Sequence, residues 1–146
     1  MPASDPHDLE RFVSAQAPVW RQAIAELRAA RKESHWMWFV FPQLRGLGRS
    51  AMAERYGIAS GAEAAAYLRD PLLGSRLVEA TEAMLAADRG LSALAILGSP
   101  DDVKFRSSMT LFDAVADAPP APFAAALERY FDGVRDPATL ALLGRY

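Results

Sequence analysis

Three times along this chain a side chain able to cap a helix stands directly before a proline: Asp70-Pro71, Ser99-Pro100 and Asp136-Pro137. Proline suits the first helical position because the N–H it lacks would be unpaired there, and the preceding oxygen accepts from another free N–H of the first turn. Ser60 with Glu63, and Ser99 with Asp102, add the spacing of a capping box. Together these signals predict helix starts near 61, 71, 100 and 137. Apolar stripes at helical spacing agree: Leu9, Phe12 and Val13; Trp20, Ala23, Ile24 and Leu27; Leu77, Val78, Thr81 and Leu85; Phe123, Leu127, Tyr130 and Phe131. Ala62 to Ala66 adds high intrinsic helix propensity. The expected fold class is all-α, a single multihelical globular domain over residues 1–146 with about eight helical segments. No stretch alternates as a strand would, and no internal repeat is visible. Ala118-Pro119-Pro120-Ala121-Pro122 reads as a stiff connector, too short to separate two domains.

One segment breaks the regularity. Ser34 to Gly48 runs Ser-His-Trp-Met-Trp-Phe-Val-Phe-Pro-Gln-Leu-Arg-Gly-Leu-Gly. Trp36 to Phe41 is apolar on every side, so burial all round is expected, as a short helix or an extended strand; periodicity does not separate the two. Pro42, Gly46 and Gly48 then demand an irregular loop. Rings at this density are costly to leave in water, which places the segment at the centre of the fold.

Composition narrows the function classes. At 51% hydrophobic and 23% charged residues the chain has material for a core and does not read as disordered. A net charge of −2 argues against general attraction to nucleic acid, although a local basic patch stays open. The absence of cysteine excludes disulfides, thiolate chemistry and cysteine-ligated zinc. With two histidines and no clustered carboxylates, no metal or other cofactor is expected. The N-terminus lacks the basic-then-apolar pattern of a signal peptide, and Trp36 to Pro42, the longest apolar run, is far short of a membrane span. The expected location is the cytoplasm.

Two segments mix apolar residues with polar ones that burial would make expensive. In the first stand His35, Gln43, Arg45 and Arg49. The second is Asp101 to Phe112. As a helix it puts Phe105, Met109 and Phe112 on one face, and Lys104, Ser107 and Ser108 on another. One ammonium and two hydroxyls there offer donors to an anion; equally, they form a wet face with serines bonded back to the backbone. His35 is a candidate acid/base because its pKa lies near neutrality, or else a structural histidine. Gln43 can read a ligand through its amide or satisfy loop backbone. Gly46-Leu47-Gly48 with flanking arginines can approach a phosphate, but it lacks the third glycine and preceding strand of a dinucleotide fingerprint. No nucleophile elbow is present, Asp101-Asp102 reads as favourable charge at a helix start, and Tyr56, Tyr67 and Tyr130 read as core residues with a polar tip.

The strings Ser34-His35-Trp36-Met37-Trp38-Phe39-Val40-Phe41-Pro42-Gln43-Leu44 and Lys104-Phe105-Arg106-Ser107-Ser108-Met109-Thr110-Leu111-Phe112 resemble a bacterial family of unknown function, domain-of-unknown-function family 1810. So do Asp8-Leu9-x-Arg11-Phe12, Ala66-Tyr67-Leu68, Leu73-Gly74-x-Arg76-Leu77, Tyr130-Phe131-x-Gly133 and Asp136-x-x-Thr139-Leu140, which together cover nearly the whole chain. The resemblance implies a multihelical single domain and no established activity. Its members are often labelled calpastatin-like, but inhibitors of that kind are disordered when free, and this chain is half apolar.

The leading expectation is a pocket between segments 35–49 and 104–112 for an anionic small molecule, a nucleotide or phosphorylated metabolite. Lys104 and Arg49 would supply charge, Ser107, Ser108 and Gln43 hydrogen bonds, Trp36 or Trp38 a stacking surface, and His35 a proton if there is chemistry. The rival reading is a protein-interaction or adaptor module with no catalytic activity, binding through an exposed aromatic patch.

Overall fold

The computed structural model describes residues 5–117 and 121–144. Within them the chain forms ten helices and no strand. These are α1 (Glu10–Gln16), α2 (Trp20–Arg28), α3 (Met37–Val40), α4 (Ala51–Tyr56), α5 (Gly61–Arg69), α6 (Pro71–Ala86), α7 (Ala93–Leu97), α8 (Asp101–Val115), α9 (Phe123–Phe131) and α10 (Pro137–Leu143). The all-α expectation holds. The count exceeds the expected eight because α3, α4 and α7 are only four to six residues long and too short to show a helical period. Among the described residues no helix is long and apolar enough to cross a membrane. The first three residues of the proline-rich connector, 118–120, lie outside the described residues.

The capping logic is visible atom by atom. Asp70 accepts from the N–H groups of Leu72 and Leu73 ahead of α6, and Asp136 from that of Thr139 ahead of α10. Ser60 accepts from Glu63 N–H ahead of α5. Only half of that capping box forms, because the Glu63 carboxylate turns to Ala59 N–H and to Arg11. Ser99 is a correction. The residue before α8 is Pro100, which offers no side-chain cap. The free N–H groups of that first turn go instead to backbone carbonyls, Asp102 to Gly98 and Val103 and Lys104 to Pro100.

α8 is the central helix, packed against α5, α7, α9 and α10. Its expected apolar face is realised: Phe105, Met109 and Phe112 are fully buried. Phe105 meets Phe41 edge-on at 4.9 Å and lies 6.0 Å from Tyr130, while Phe112 lies 5.3 Å from Tyr67 and 6.0 Å from Phe123. Each such ring contributes about 1.5–3 kcal/mol by leaving water. The Phe41–Phe105 contact also has a positional role, because it seats the aromatic segment against the first turns of α8.

The Asp5 carboxylate accepts from the N–H groups of Leu9 and Glu10, which hold it below the usual carboxylate range. Arg11 then ties three parts of the chain together. Its guanidinium donates to the carbonyls of His7, Asp8, Arg55 and Gly57 and to the Glu63 carboxylate at 2.7 Å.

Candidate functional site

The segment Trp36 to Phe41 resolves as the single turn of α3, with Trp36 and Phe41 flanking it in neither helical nor extended conformation. Trp36 is buried, with its indole N–H donating to the Glu26 carboxylate at 2.9 Å. Glu26 also accepts from Glu33 N–H and from both the N–H and hydroxyl of Ser34. Burial pushes the Glu26 carboxyl up, but those four donors outweigh it and bring the group down to about 2. Trp36 is therefore an anchored core residue, and no face of its ring is free to stack a ligand.

Trp38 departs from the expected burial. It is half-buried, because the segment lies at the edge of the fold where α8 begins, and one face of its ring is covered by Lys104. The Lys104 ammonium stands 5.0 Å from the ring centroid. The order of the neighbouring charges explains why this ammonium is available. Among the described residues the only carboxylate within 4 Å of it is that of Asp101, at 3.7 Å. Asp101 is held more closely, at 2.9 Å, by Lys32, whose ammonium also donates to Ser34 C=O and lies 5.0 Å over the Trp36 ring. Each of these two tryptophans thus has its own lysine, and one aspartate lies between the two cations.

Trp38 and Lys104 form part of a cleft completed by Met37, Phe41, Gln43, Met52, Ala53, Tyr56 and Gly57. It is open on one side, and a water-sized sphere can be centred over only about 10 Å³ of it. That is room for about one water. The loop side is fixed by the Leu44–Ile58 bridge: Ile58 N–H donates to Gln43 C=O at 2.9 Å and Arg45 N–H to Ile58 C=O at 2.8 Å. Gly57 is required there, because a methyl group on it would lie 2.8 Å from the Arg45 backbone and 2.7 Å from Ala53 C=O. The fourth wall is the short helix α4, capped by Ser50 and packed chiefly on α3.

Of the candidate residues, the structure gathers Trp38, Gln43 and Lys104 into this cleft and separates the others from it. Arg49 is exposed and outside the lining. Arg45 spends its guanidinium on the carbonyls of Glu54 and Gly57. His35 is exposed and outside the lining of the cleft. Ser107 and Ser108 do not form a wet face; both are buried. Ser107 faces α10, donating to Val103 C=O and to Asp136. The Ser108 hydroxyl is buried and has no hydrogen-bond partner among the described residues. It lies one turn beyond Lys104 on the same face of α8.

Several participants carry no signal in the sequence. Met52 and Tyr56 line the cleft from a helix of six residues, too short to announce itself. Glu26 sits on the apolar stripe of α2, and Lys32 follows that helix in a polar run that reads as plain surface. Among the described residues no group of three or more His, Asp or Glu side chains is placed to hold a metal ion.

Comparison with known proteins gives a family and a close structural relative. No curated protein matches the chain. A conserved hypothetical protein of Mycobacterium tuberculosis, Rv1873, known from its crystal structure, is 56% identical, with 96% of this chain and 99% of that one covered and a TM-score of 0.93. Residues 6–143 match the family described as a protein of unknown function (DUF1810), and the chain belongs to that family.

Proposed function

We propose that this domain binds a small anionic molecule in the cleft between α3, α4 and the first turns of α8. One observation carries the reading. The Lys104 ammonium lies over Trp38 beside an apolar cleft, while the aspartate nearest to it is already paired with Lys32. A lysine with donors to spare, an aromatic wall and a half-buried glutamine amide are the kinds of groups that orient a ligand in a mostly apolar pocket. The cleft is narrow, so entry requires a side chain to turn aside. Met52 is suited to this, being unbranched and rotatable about three bonds. The exposed large apolar side chains among the described residues are all aliphatic, Leu72, Leu91, Leu94, Val103, Val134 and Leu140. An adaptor surface built on an exposed aromatic patch draws no support from them.

A thermal-shift screen tests the reading. Wild type and Lys104→Ala are heated with carboxylates, inorganic phosphate, phosphosugars and nucleotides. A ligand at a hundred times its dissociation constant adds about 2.7 kcal/mol of stability. The expected result is a class of anions that raises the wild-type Tm and leaves the variant unmoved. A panel that moves neither protein, or moves both equally, counts against the cleft.

A further inference from the structure

We infer that α4 is a flap over the cleft. It swings out at its N-terminal end, about a pivot that Arg11 and Arg45 hold at its C-terminal end, and its opening uncovers the wall formed by Met37, Trp38 and Lys104. Opening is a property of the free protein and goes beyond the binding reading, to which it adds an entry route.

The two ends of α4 are held unequally. The last carbonyls of a helix have no partner within it. Here two arginines supply the partners. Arg11 donates to Arg55 C=O at 2.9 Å and to Gly57 C=O at 3.0 Å, and Arg45 to Glu54 C=O at 3.1 Å and to Gly57 C=O at 3.3 Å. Cationic donors also suit the negative end of a helix. Arg11 is itself fixed by Glu63, and the chain just beyond the helix by the Leu44–Ile58 bridge. Tyr56, the last residue of α4, is the one residue of that helix that is buried, with its ring 5.3 Å from that of Phe39 and 6.0 Å from that of Phe12.

Nothing comparable holds the other end. Ala51 is exposed, and Met52 and Ala53 are only half-buried. Ser50 caps the helix's own Ala53 N–H, and among the described residues no hydrogen bond joins residues 46–53 to another helix. This end is held down by apolar contact through Leu47 and Met52. The link leading to it contains Gly46, at φ +102°, and Gly48, where the backbone turns at little cost. Segments with so few buried contacts open locally at a fraction of the cost of global unfolding.

The walls of the cleft divide along the same line. Met52 and Ala53 ride on the end that moves. Trp38 and Lys104 belong to α3 and α8, and Gln43 to the bridged loop, so all three stay in place. Swinging α4 outward therefore enlarges a cleft that has room for about one water when closed, and it leaves the contact between the Lys104 ammonium and the Trp38 ring intact.

Native methionines report the motion. Met37 lines the cleft and is 1% exposed, while Met84 and Met109 are fully buried and do not line it. Wild type is treated with dilute hydrogen peroxide, and the initial rate of sulfoxide formation at each methionine is read by peptide mass spectrometry. The expected result is that Met37 oxidises about tenfold or more faster than Met84 and Met109, because local opening is more frequent than global unfolding. Equal rates at the three would overturn the flap. Gly48→Ala gives a directed push: a methyl group there would lie 2.8 Å from Ala53 Cβ, so it pries up the loosely held end. It should speed Met37 about twofold or more and leave Met84 and Met109 unchanged; an unchanged Met37 counts against the flap. Amide exchange locates the pivot. Glu54 N–H, bonded to Ser50 C=O, should exchange about tenfold or more faster than Ile58 N–H, bonded to Gln43 C=O. Ile58 exchanging as fast as Glu54 would overturn the hinge, since the whole segment would then be unfolding. No ligand enters these measurements, so slow Met37 oxidation removes the flap and leaves the anion screen standing, while a blank screen beside fast Met37 oxidation removes the ligand and leaves the flap.

Discussion

Lys32 holds Asp101 at 2.9 Å, closer than Lys104 of the same aspartate's own helix, which stays 3.7 Å away. This inequality keeps the Lys104 ammonium available over Trp38. Lys32→Met should free Asp101 to close on Lys104 and add a net negative charge beside the cleft. The expected outcome is weaker anion binding from a residue that does not line the cleft, with dependence on salt reduced. Titration of the variant at two ionic strengths, with the anion that most raises the wild-type Tm, checks both.

Glu26 anchors Trp36 with a carboxylate that takes five hydrogen bonds, the fifth from the Gln22 side-chain amide. Glu26→Gln places an amide N–H₂ among donors and should cost about 2–3 kcal/mol near neutral pH. Because the folded group titrates at about 2 against an ordinary value of 4.5, its contribution is complete above that ordinary value and fades as the pH falls toward 2. Urea unfolding at pH 7 and near pH 3 should show the gap between wild type and variant narrowing in acid.

Arg11 and Glu63 form a pair with both side chains at least nine-tenths buried. Arg11→Ala should lose about 3–5 kcal/mol, since it leaves a buried carboxylate without its partner. Arg11→Lys should recover little of this, because one ammonium cannot reproduce a planar fork that reaches four carbonyls and a carboxylate. Chemical denaturation of the two variants compares the losses.

Two helical glycines should respond oppositely to the same substitution. A methyl group at Gly74 of α6 would lie 2.2 Å from the Leu68 carbonyl oxygen, so Gly74→Ala must push α5 and α6 apart and destabilise the protein. At Gly61 the nearest atom would be Leu143 Cδ2 at 3.6 Å, an ordinary contact. Gly61→Ala should therefore add about 0.4–1 kcal/mol by restricting the unfolded chain. Thermal melts of both variants test the contrast.

The helical frame was legible because its signals are local. Asp70 and Asp136 declare α6 and α10 within four residues, and Phe105, Met109 and Phe112 declare the buried face of α8 within eight. The site was legible only in part. Trp38, Gln43 and Lys104 stand in segments whose mixed chemistry is visible in the sequence. What sorts them from Trp36 and Ser107 is long-range packing, such as the Phe41–Phe105 contact between residues far apart in the chain. Ser107 and Ser108 show the limit most clearly. Adjacent in sequence, one is paired with Asp136 across to α10 and the other has no partner among the described residues.

Ligand entry into the cleft can be read directly by titrating ¹⁵N-labelled protein with the anion that most raises its Tm and following the tryptophan indoles and side-chain amides by NMR. The expected result is saturable shifts of the Trp38 indole and the Gln43 amide, little change at the Trp36 indole held on Glu26, and loss of the response in Lys104→Met. Shifts that leave Trp38 and Gln43 unmoved, or that persist in Lys104→Met, would contradict binding in this cleft.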